Sequence, residues 1–399
     1  MRRPPLLLVL GLLGPLLAAL LVACDSGAEV VDAPGPGSST DAGDGWVRLP
    51  DAPLSARSRS LVEAVGDRVV VVGGWELLCP PTADCAFPEE PLHADGAVLN
   101  TRTDEWSPMA PAPFGLVGEQ RQTAALGGSV FTVTGCRTGM GCAGAPELLE
   151  YDVAADRWHE HGRVPGFRSS YVALVPVGDR LVVHRASDEQ GRPADLVFDP
   201  GAGSWDRLPA DPLPEVYDRF AVAVGDDLVL AGSPTAALDD GGVPDTKLLA
   251  RLDLETGTWT RLPDAPGPGY QLWAAGDELL LNGHYRPVWL LDPETGRWRE
   301  GPSVEGDRGV DVYGAVDGDR STYELYSVGS LGSDGRARLY NVGTGDLLTV
   351  AAPPGREDAY DDTSTAVGSS LFVFGGQEWT GSREGTLLHD AWLWTPPEG

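Results

Sequence analysis

A phrase headed by tryptophan recurs along this chain and constrains its fold more than any other feature. Residues 46–53 read WVRLPDAP and residues 259–266 read WTRLPDAP, so seven of eight letters match between positions 213 apart. Related phrases begin at five further positions, the last with leucine in the tryptophan place: Trp106, Trp158, Trp205, Trp298 and Leu347. The spacing averages about 50 residues, which is typical of proteins built from repeated supersecondary units.

Each repeat has the same internal pattern of short strands separated by turns rich in glycine and aspartate. In the first repeat, the strand RSRSLVEAV (57–65) leads through the turn VGDR (65–68) into the apolar strand RVVVVGG (68–74). Such turns suit tight hairpins because glycine readily adopts positive φ. A third strand and the tryptophan strand complete the unit. Four strands in about 50 residues predict one blade of a β-propeller.

The two ends of the chain share one blade in this interpretation. The pattern of the second strand occurs seven times. The last repeat ends after AWLW (391–394) without a tryptophan strand, whereas Trp46 precedes the first repeat with no blade of its own. Pairing the two removes an unpaired sheet edge at each end. We therefore predict an all-β, seven-bladed propeller of four-stranded antiparallel blades over residues 46–399, in which the N-terminal strand completes the last blade.

The sequence resembles the kelch family of β-propellers. The resemblance rests on the double glycines Gly73–Gly74 and Gly375–Gly376 and on turns of the form D-x-x-T-G-x-W, as at 253–259. The middle blades depart from the family because they lack the second glycine. Some kelch proteins resemble galactose oxidase, which binds copper with two His, two Tyr and a Cys-modified Tyr. No such set can be assembled here, so we expect neither a metal nor another cofactor.

The N-terminus has the pattern of an export signal. Arg2 and Arg3 precede an apolar run that ends at LVAC (21–24). This quartet resembles a bacterial lipobox, which implies cleavage before Cys24 and lipidation of its thiol. We expect a signal peptide over 1–23, a flexible membrane-tether linker over 24–45, and a bacterial extracytoplasmic protein lipid-anchored to the cell membrane. An ordinary secretory signal with an incidental cysteine is the alternative.

Four cysteines remain after the predicted lipidation site. They form the pairs Cys79/Cys85 and Cys136/Cys142, with five residues between the members of each pair. An even number of cysteines outside the cell favours disulfides. Three pairings are possible, and we favour the two local ones, which would staple two long loops.

Charge and histidine content exclude several classes of function. The formal net charge of −30 would repel a phosphate backbone, so we expect no nucleic-acid partner. The chain has only six histidines. The most prominent ones are interpreted as ordinary surface or edge residues and not as metal ligands: His159, His161, His184 and His284.

The residues that lead into the first strand of each predicted blade are unusually charged for a chain poor in basic residues. In a closed ring they would surround the axis, beside a face that carries the long loops 75–93, 135–146, 186–193 and 233–246. Arginine forks there could receive a carboxylate or sugar hydroxyls, whereas Arg–Asp bridges between neighbouring blades are the structural alternative. The candidate ligand-binding residues are Arg59, Arg121, Arg168, Arg219, Arg308, Asp218, Tyr360 and Asp361.

These features favour a monomeric binding protein over an enzyme. Loops on a rigid scaffold commonly carry binding sites, so we expect a protein or carbohydrate ligand on the loop-rich face, without catalysis. No nucleophile elbow or phosphate loop is present. The alternative is a carbohydrate-active enzyme similar to kelch-type epimerases of acidic sugars. Such an enzyme would need one compact pocket in which arginine lies beside a carboxylate or histidine of shifted pKa.

Overall fold

The protein is all-β and propeller-like. The computed structural model describes residues 30–31, 39–41, 45–80, 83, 85, 92–118, 121–134, 145–168, 172–188, 191–192, 194–239, 244–269, 271–282, 288–301, 314–317, 324–328, 337–380 and 384–395. These residues form 33 strands and one short helix. None of their helices has the length and apolar character needed to cross a membrane.

Three short strands precede the first complete sheet: β1 (Val30–Val31), β2 (Ser39–Asp41) and β3 (Trp46–Arg48). Sheet 1 contains β4 (Leu61–Val65), β5 (Arg68–Val72), β6 (Gly96–Asn100) and β7 (Glu105–Pro108). Sheet 2 contains β8 (Thr123–Leu126), β9 (Ser129–Thr134), β10 (Glu147–Asp152) and β11 (Arg157–Arg163). Sheet 3 contains β12 (Val172–Val177), β13 (Arg180–Arg185), β14 (Leu196–Asp199) and β15 (Ser204–Arg207).

The pattern continues in the second half of the chain. Sheet 4 contains β16 (Val216–Val224), β17 (Asp227–Pro234), β18 (Leu248–Asp253) and β19 (Thr258–Arg261), with α1 (Ala236–Asp239) after β17. Sheet 5 contains β20 (Gln271–Ala275), β21 (Glu278–Asn282), β22 (Trp289–Asp292) and β23 (Arg297–Glu300). Sheet 6 contains β24 (Gly314–Asp317), β25 (Glu324–Val328), β26 (Ala337–Asn341) and β27 (Leu347–Val350).

The last sheet includes a strand from each end of the chain. After β28 (Ala359–Tyr360) come β29 (Thr363–Val367), β30 (Ser370–Phe374), β31 (Gln377–Thr380), β32 (Glu384–Leu387) and β33 (Ala391–Trp394). Sheet 7 has the order β29-β30-β33-β3, in which Trp46 lies opposite Trp394 in an antiparallel pair. A small eighth sheet, β28-β31-β32, lies beside it. The N-terminal strand therefore pairs where the sequence predicts.

The hydrophobic core lies between successive sheets and not within any one of them. Seven clusters of buried apolar side chains each join one sheet to the next. The cluster between sheets 7 and 1 contains Phe372 and Phe374 from one side and Val69 and Val71 from the other. The first strands of sheets 1 to 6 also contact one another in order; β25 of sheet 6 contacts β29, and β29 contacts β4. Each sheet is thus stabilised by two neighbours, because alternate residues of its strands face opposite sides.

The tryptophan phrase forms a repeated hydrogen bond between sheets. The indole Nε1–H of Trp158 donates to the Ala110 carbonyl at 2.9 Å, and Ala110 follows the preceding tryptophan by four positions. The same spacing occurs in four more bonds: Trp46 to Ala351, Trp106 to Pro50, Trp259 to Pro209, and Trp298 to Pro263. The phrase therefore repeats for a structural reason. The indole N–H of its first residue donates to the preceding phrase, and the carbonyl of its fifth residue accepts from the indole of the next phrase.

We expect Trp158→Phe to destabilise the protein by about 1 kcal/mol more than Trp205→Phe, the value of one hydrogen bond. The two positions are matched because each ring packs at a tilt against an aromatic neighbour, Tyr151 or Phe198. The indole of Trp205, however, makes no comparable bond to a described residue. Urea unfolding of both variants measures the difference. Equal losses would show that the indole bond contributes nothing to stability.

Two regions differ from the sequence-based expectations. Within the segment predicted to be a flexible linker, β1 pairs parallel to β23 and β2 pairs parallel to β27, which extends sheets 5 and 6 by one strand each. In sheet 6 the order is β25-β24-β26, with β24 parallel to β26, so the predicted second strand (322–328) lies at the edge. An outer strand with free N–H and C=O groups can accept another strand, which a sequence pattern does not specify.

Candidate functional site

Four of the candidate residues share an unusual backbone conformation. Arg59, Arg121, Asp218 and Asp361 have φ values of 53°, 63°, 45° and 54°. Each lies at the corresponding place of its sheet, where the chain begins the first strand, namely in sheets 1, 2, 4 and 7. Left-handed backbone at a residue other than glycine is strained and persists only where its surroundings hold it. The sequence therefore located a structurally special position, although charge was its only signal.

The carbonyl groups of three of these strained residues accept hydrogen bonds from backbone N–H groups of neighbouring sheets or segments. The Asp361 carbonyl accepts from the Arg59 N–H at 3.4 Å, and the Arg59 carbonyl accepts from the Gly118 N–H at 2.8 Å. The Arg121 carbonyl accepts from the Leu174 N–H of sheet 3 at 2.7 Å. These bonds link sheet 7 to sheet 1, sheet 1 to the segment before sheet 2, and sheet 2 to sheet 3. They explain why the left-handed conformation recurs.

Arg59, Trp75, Tyr360, Asp361 and Gln377 form a partly exposed group between sheets 7 and 1, here called the seam cluster. The Arg59 Nη2 lies 3.6 Å from the Asp361 Oδ1, with side-chain exposures of 42% and 25%. The Arg59 guanidinium lies 5.1 Å from the centre of the Trp75 ring. Gln377 Nε2 donates to the other oxygen of Asp361 at 2.8 Å. The cluster thus places a partly exposed cation and anion beside a buried aromatic ring.

A disulfide loop of sheet 1 is bound to this cluster. The disulfide joins Cys79 to Cys85, with Cα atoms 5.9 Å apart. The Cys79 N–H donates to the Gln377 Oε1 at 2.9 Å, and the Tyr360 hydroxyl donates to the Cys79 carbonyl. The predicted local pairing is confirmed for this pair. Cys136 and Cys142 lie outside the described residues, as does Cys24.

Arg121 and Asp218 belong to a second group, here called the axial group, with Phe220, Lys247 and Trp273. The Arg121 guanidinium lies 4.3 Å from the centre of the Phe220 ring and 4.8 Å from that of the Trp273 ring. It thus extends from sheet 2 to sheets 4 and 5. The fully buried Lys247 donates through Nζ to the Asp218 carbonyl at 2.9 Å. The sequence-based candidates omitted Lys247, although it is the only lysine in the chain.

The remaining candidates lie apart from these two groups. The Arg219 side chain is only 2% exposed and bonds both oxygens of Asp195, at 2.7 and 3.2 Å. Two further carboxylates, of Asp188 and Asp211, lie 3.6 and 3.4 Å from it. The structure therefore gives Arg219 a bracing position. Arg168 is exposed, and Arg308 lies outside the described residues.

Two further arginines brace the double glycines, and sequence reasoning did not select either as a site residue. Arg57 bonds both oxygens of Asp95, at 2.7 and 3.0 Å, and the Gly73 carbonyl. Arg356 bonds Asp390 at 3.0 Å and the corresponding carbonyl of Gly375. The shared signal is an arginine ahead of the first strand, a double glycine after the second and an aspartate before the third.

Three buried groups in different sheets have strongly shifted pKa values: Glu63 in sheet 1, His184 in sheet 3 and Asp362 at sheet 7. Burial raises the pKa of Glu63 to about 7, opposed by a hydrogen bond from Thr123. Burial raises the pKa of Asp362 to about 6, opposed by the charge of Arg356. Burial also lowers the pKa of His184 to about 4. The expectation that His184 is a surface or edge residue is therefore wrong, because its side chain is only 1% exposed and β13 lies between two other strands of sheet 3.

We expect Glu63→Gln to stabilise the protein at pH 8 by about 2 kcal/mol and to change little at pH 5. The folded pKa of Glu63 lies above its ordinary value, so the folded state holds the proton more tightly. The parent therefore loses stability as pH rises from about 4.5 to about 7. Urea unfolding at both pH values measures this. The exposed Glu255→Gln is the control, and an equal effect at both pH values contradicts the shift.

Histidine, cysteine and acidic side chains do not assemble into a group of three or more suited to a metal ion within the described part of the chain. Compared with known proteins, the chain matches no family model and no curated protein. A solved structure described as "Structure of YjhT" is similar over 86% of this chain and 96% of that chain, with 14% identity and a TM-score of 0.40. A likeness of this strength assigns neither family nor activity.

Proposed function

We propose that the chain is a seven-bladed β-propeller of the kelch type, closed by its N-terminal strand. Seven inter-sheet cores support this arrangement, since the last of them joins sheet 7 to sheet 1. The pairing of β3 with β33 supports the position of the closure. The five indole bonds support the order of the blades, because two of them involve the N-terminal phrase. In this proposal the sheets are the blades, and the long loops share one face.

We also propose that the protein acts outside the cytoplasm, attached to the membrane through lipidated Cys24. The sequence LVAC at 21–24 supports the attachment. The Cys79–Cys85 disulfide supports an oxidising compartment, since cytosolic thiols are kept reduced. The segment between Cys24 and β3 would then set the distance between the membrane and the propeller.

The function that we propose is binding of a glycan or protein partner through the loop-rich face, centred on the seam cluster. The observation that carries this is the partly exposed Arg59–Asp361 pair beside Trp75, held by a backbone that is strained on both sides. Planar guanidinium and carboxylate groups suit hydrogen bonds to sugars or to peptide groups. Gln377 and the disulfide loop fix the position of the carboxylate.

A glycan array and a pull-down from envelope extracts, both with the parent protein, test this function and separate the two kinds of partner. We expect Arg59→Ala to lose at least tenfold in affinity for the captured partner. Arg102→Ala is the matched control, since it also removes an exposed arginine paired with an aspartate, at 2.9 Å. Equal binding by the parent and both variants would exclude the seam cluster.

A further inference from the structure

Lys247 is the only lysine among the 29 basic Lys and Arg residues of the chain. Its side chain is fully buried. The residue immediately precedes β18, at a position where other sheets have an aspartate such as Asp95 or Asp390. The ammonium lies 5.3 Å from the centre of the Phe220 ring. An ammonium is a compact charge whose pKa responds to its surroundings, whereas a guanidinium stays charged and presents a planar fork. The position therefore holds a charge that its environment can adjust.

The axial group carries more positive than negative charge. Arg121 and Lys247 approach the same aromatic ring, and the Arg121 Nη2 donates to the Leu272 carbonyl at 3.0 Å. The carboxylate that acts on Lys247 is that of Asp218. Nearby His184 is uncharged at neutral pH because burial lowers its pKa to about 4. Arg219, also nearby, is paired with its own three carboxylates. The five residues of the axial group thus include two cations and one carboxylate.

The axial group also contains a buried donor that lacks an acceptor. The Trp273 side chain is nine-tenths buried, and its indole Nε1–H has no hydrogen-bond partner among the described residues. Its ring carries the Arg121 guanidinium at 4.8 Å. Buried polar groups are normally satisfied, so an unpaired N–H beside a cation indicates a place for an acceptor with negative charge.

We propose that Arg121, Lys247 and Trp273 form a binding site for a small oxyanion of the carboxylate or phosphate type. The Trp273 Nε1–H donates to one oxygen, the Arg121 guanidinium donates to another, and Lys247 supplies the second positive charge. The rings of Phe220 and Trp273 exclude water and strengthen these charge-assisted bonds. This site is distinct from the seam cluster and does not depend on the proposed function.

The single lysine makes the test direct. In the full chain labelled with ¹³C-lysine, one ¹³Cε signal reports the titration of Lys247, whose pKa burial lowers to about 8. Titrations are run with sodium acetate, sodium phosphate and, at equal ionic strength, sodium chloride. An oxyanion beside the ammonium favours its charged form, so acetate or phosphate raises the midpoint by at least half a pH unit while chloride does not. Their relative affinities identify the preferred oxyanion.

A conservative variant locates the site. Trp273→Phe keeps an aromatic ring beside Arg121 and removes the N–H. We expect the oxyanion concentration needed to shift the ¹³Cε midpoint to rise about tenfold in this variant. Two outcomes overturn the proposal. One is a parent midpoint that acetate and phosphate move no further than chloride does. The other is an unchanged oxyanion affinity in Trp273→Phe. The parent titration needs no substitution, so it tests the proposal even if the Trp273→Phe variant does not fold.

Discussion

A chain that starts at Asp51 should be less stable than one that starts at Gly45 by about 5 kcal/mol. The six residues include β3, whose pairing with β33 completes sheet 7. They also include Leu49, which is 4% exposed and donates its N–H to the Ala391 carbonyl at 2.9 Å. Their loss removes both indole bonds of the N-terminal phrase. An ordinary terminal trim removes no such set of contacts.

Guanidinium unfolding of the two chains measures the effect, and the chain from Gly45 is the control because it retains the whole of β3. A second control is Val47→Ser in the longer chain, since Val47 is 56% exposed and the substitution leaves the backbone pairing intact. We expect that variant to unfold close to the parent. If the chain from Asp51 unfolds at the same denaturant concentration as the chain from Gly45, the proposed closure by the N-terminal strand is wrong.

The strands were predictable because the local signals agree with the long-range packing. A few consecutive residues suffice to predict a turn such as Gly66-Asp67 or a strand such as Val69–Val72. The pairing of Trp46 with Trp394 was also predictable, since only that pairing removes both free edges. Sheet 6 was not predictable in the same way. Its strand order depends on which neighbour forms the better ladder with β26, and no pattern within 314–328 states that.

The sequence predicted where the candidate residues lie in each sheet, but not which of them contact one another. Charge marked Arg59, Arg121 and Asp361, and all three adopt the same strained conformation. Which of them meet depends on which other sheets their long side chains reach, and the backbone pattern does not determine that. Lys247 had a usable signal, as the only lysine in the chain. Its position before a strand, however, suggests no role, because the role depends on Phe220 and Arg121, which only the fold places near it.

Arg219→Ala should destabilise the protein by about 3–5 kcal/mol, the usual cost of removing one partner from a buried ion pair. The substitution leaves the carboxylates of Asp188, Asp195 and Asp211 with side-chain exposures of only 3%, 9% and 10%. Arg192 remains near two of them, at 3.4 Å from Asp188 and 3.0 Å from Asp211, and Asp195 loses both of its guanidinium bonds. Lower pH should partly restore the variant, because carboxyls buried without a cation take up protons more readily.

The comparison of Arg219→Ala with Arg59→Ala distinguishes a bracing arginine from a binding one. Arg59 is 42% exposed and 3.6 Å from its carboxylate, so its loss should cost less than about 1 kcal/mol of stability. We therefore expect Arg219→Ala to lower the urea midpoint strongly and Arg59→Ala to affect only partner binding. Arg219→Lys should lie between parent and alanine variant, since an ammonium cannot bond both oxygens of Asp195 as the fork does. A stable Arg219→Ala variant that no longer binds would contradict a purely bracing role, because a brace of this burial should be seen first in the free energy of unfolding.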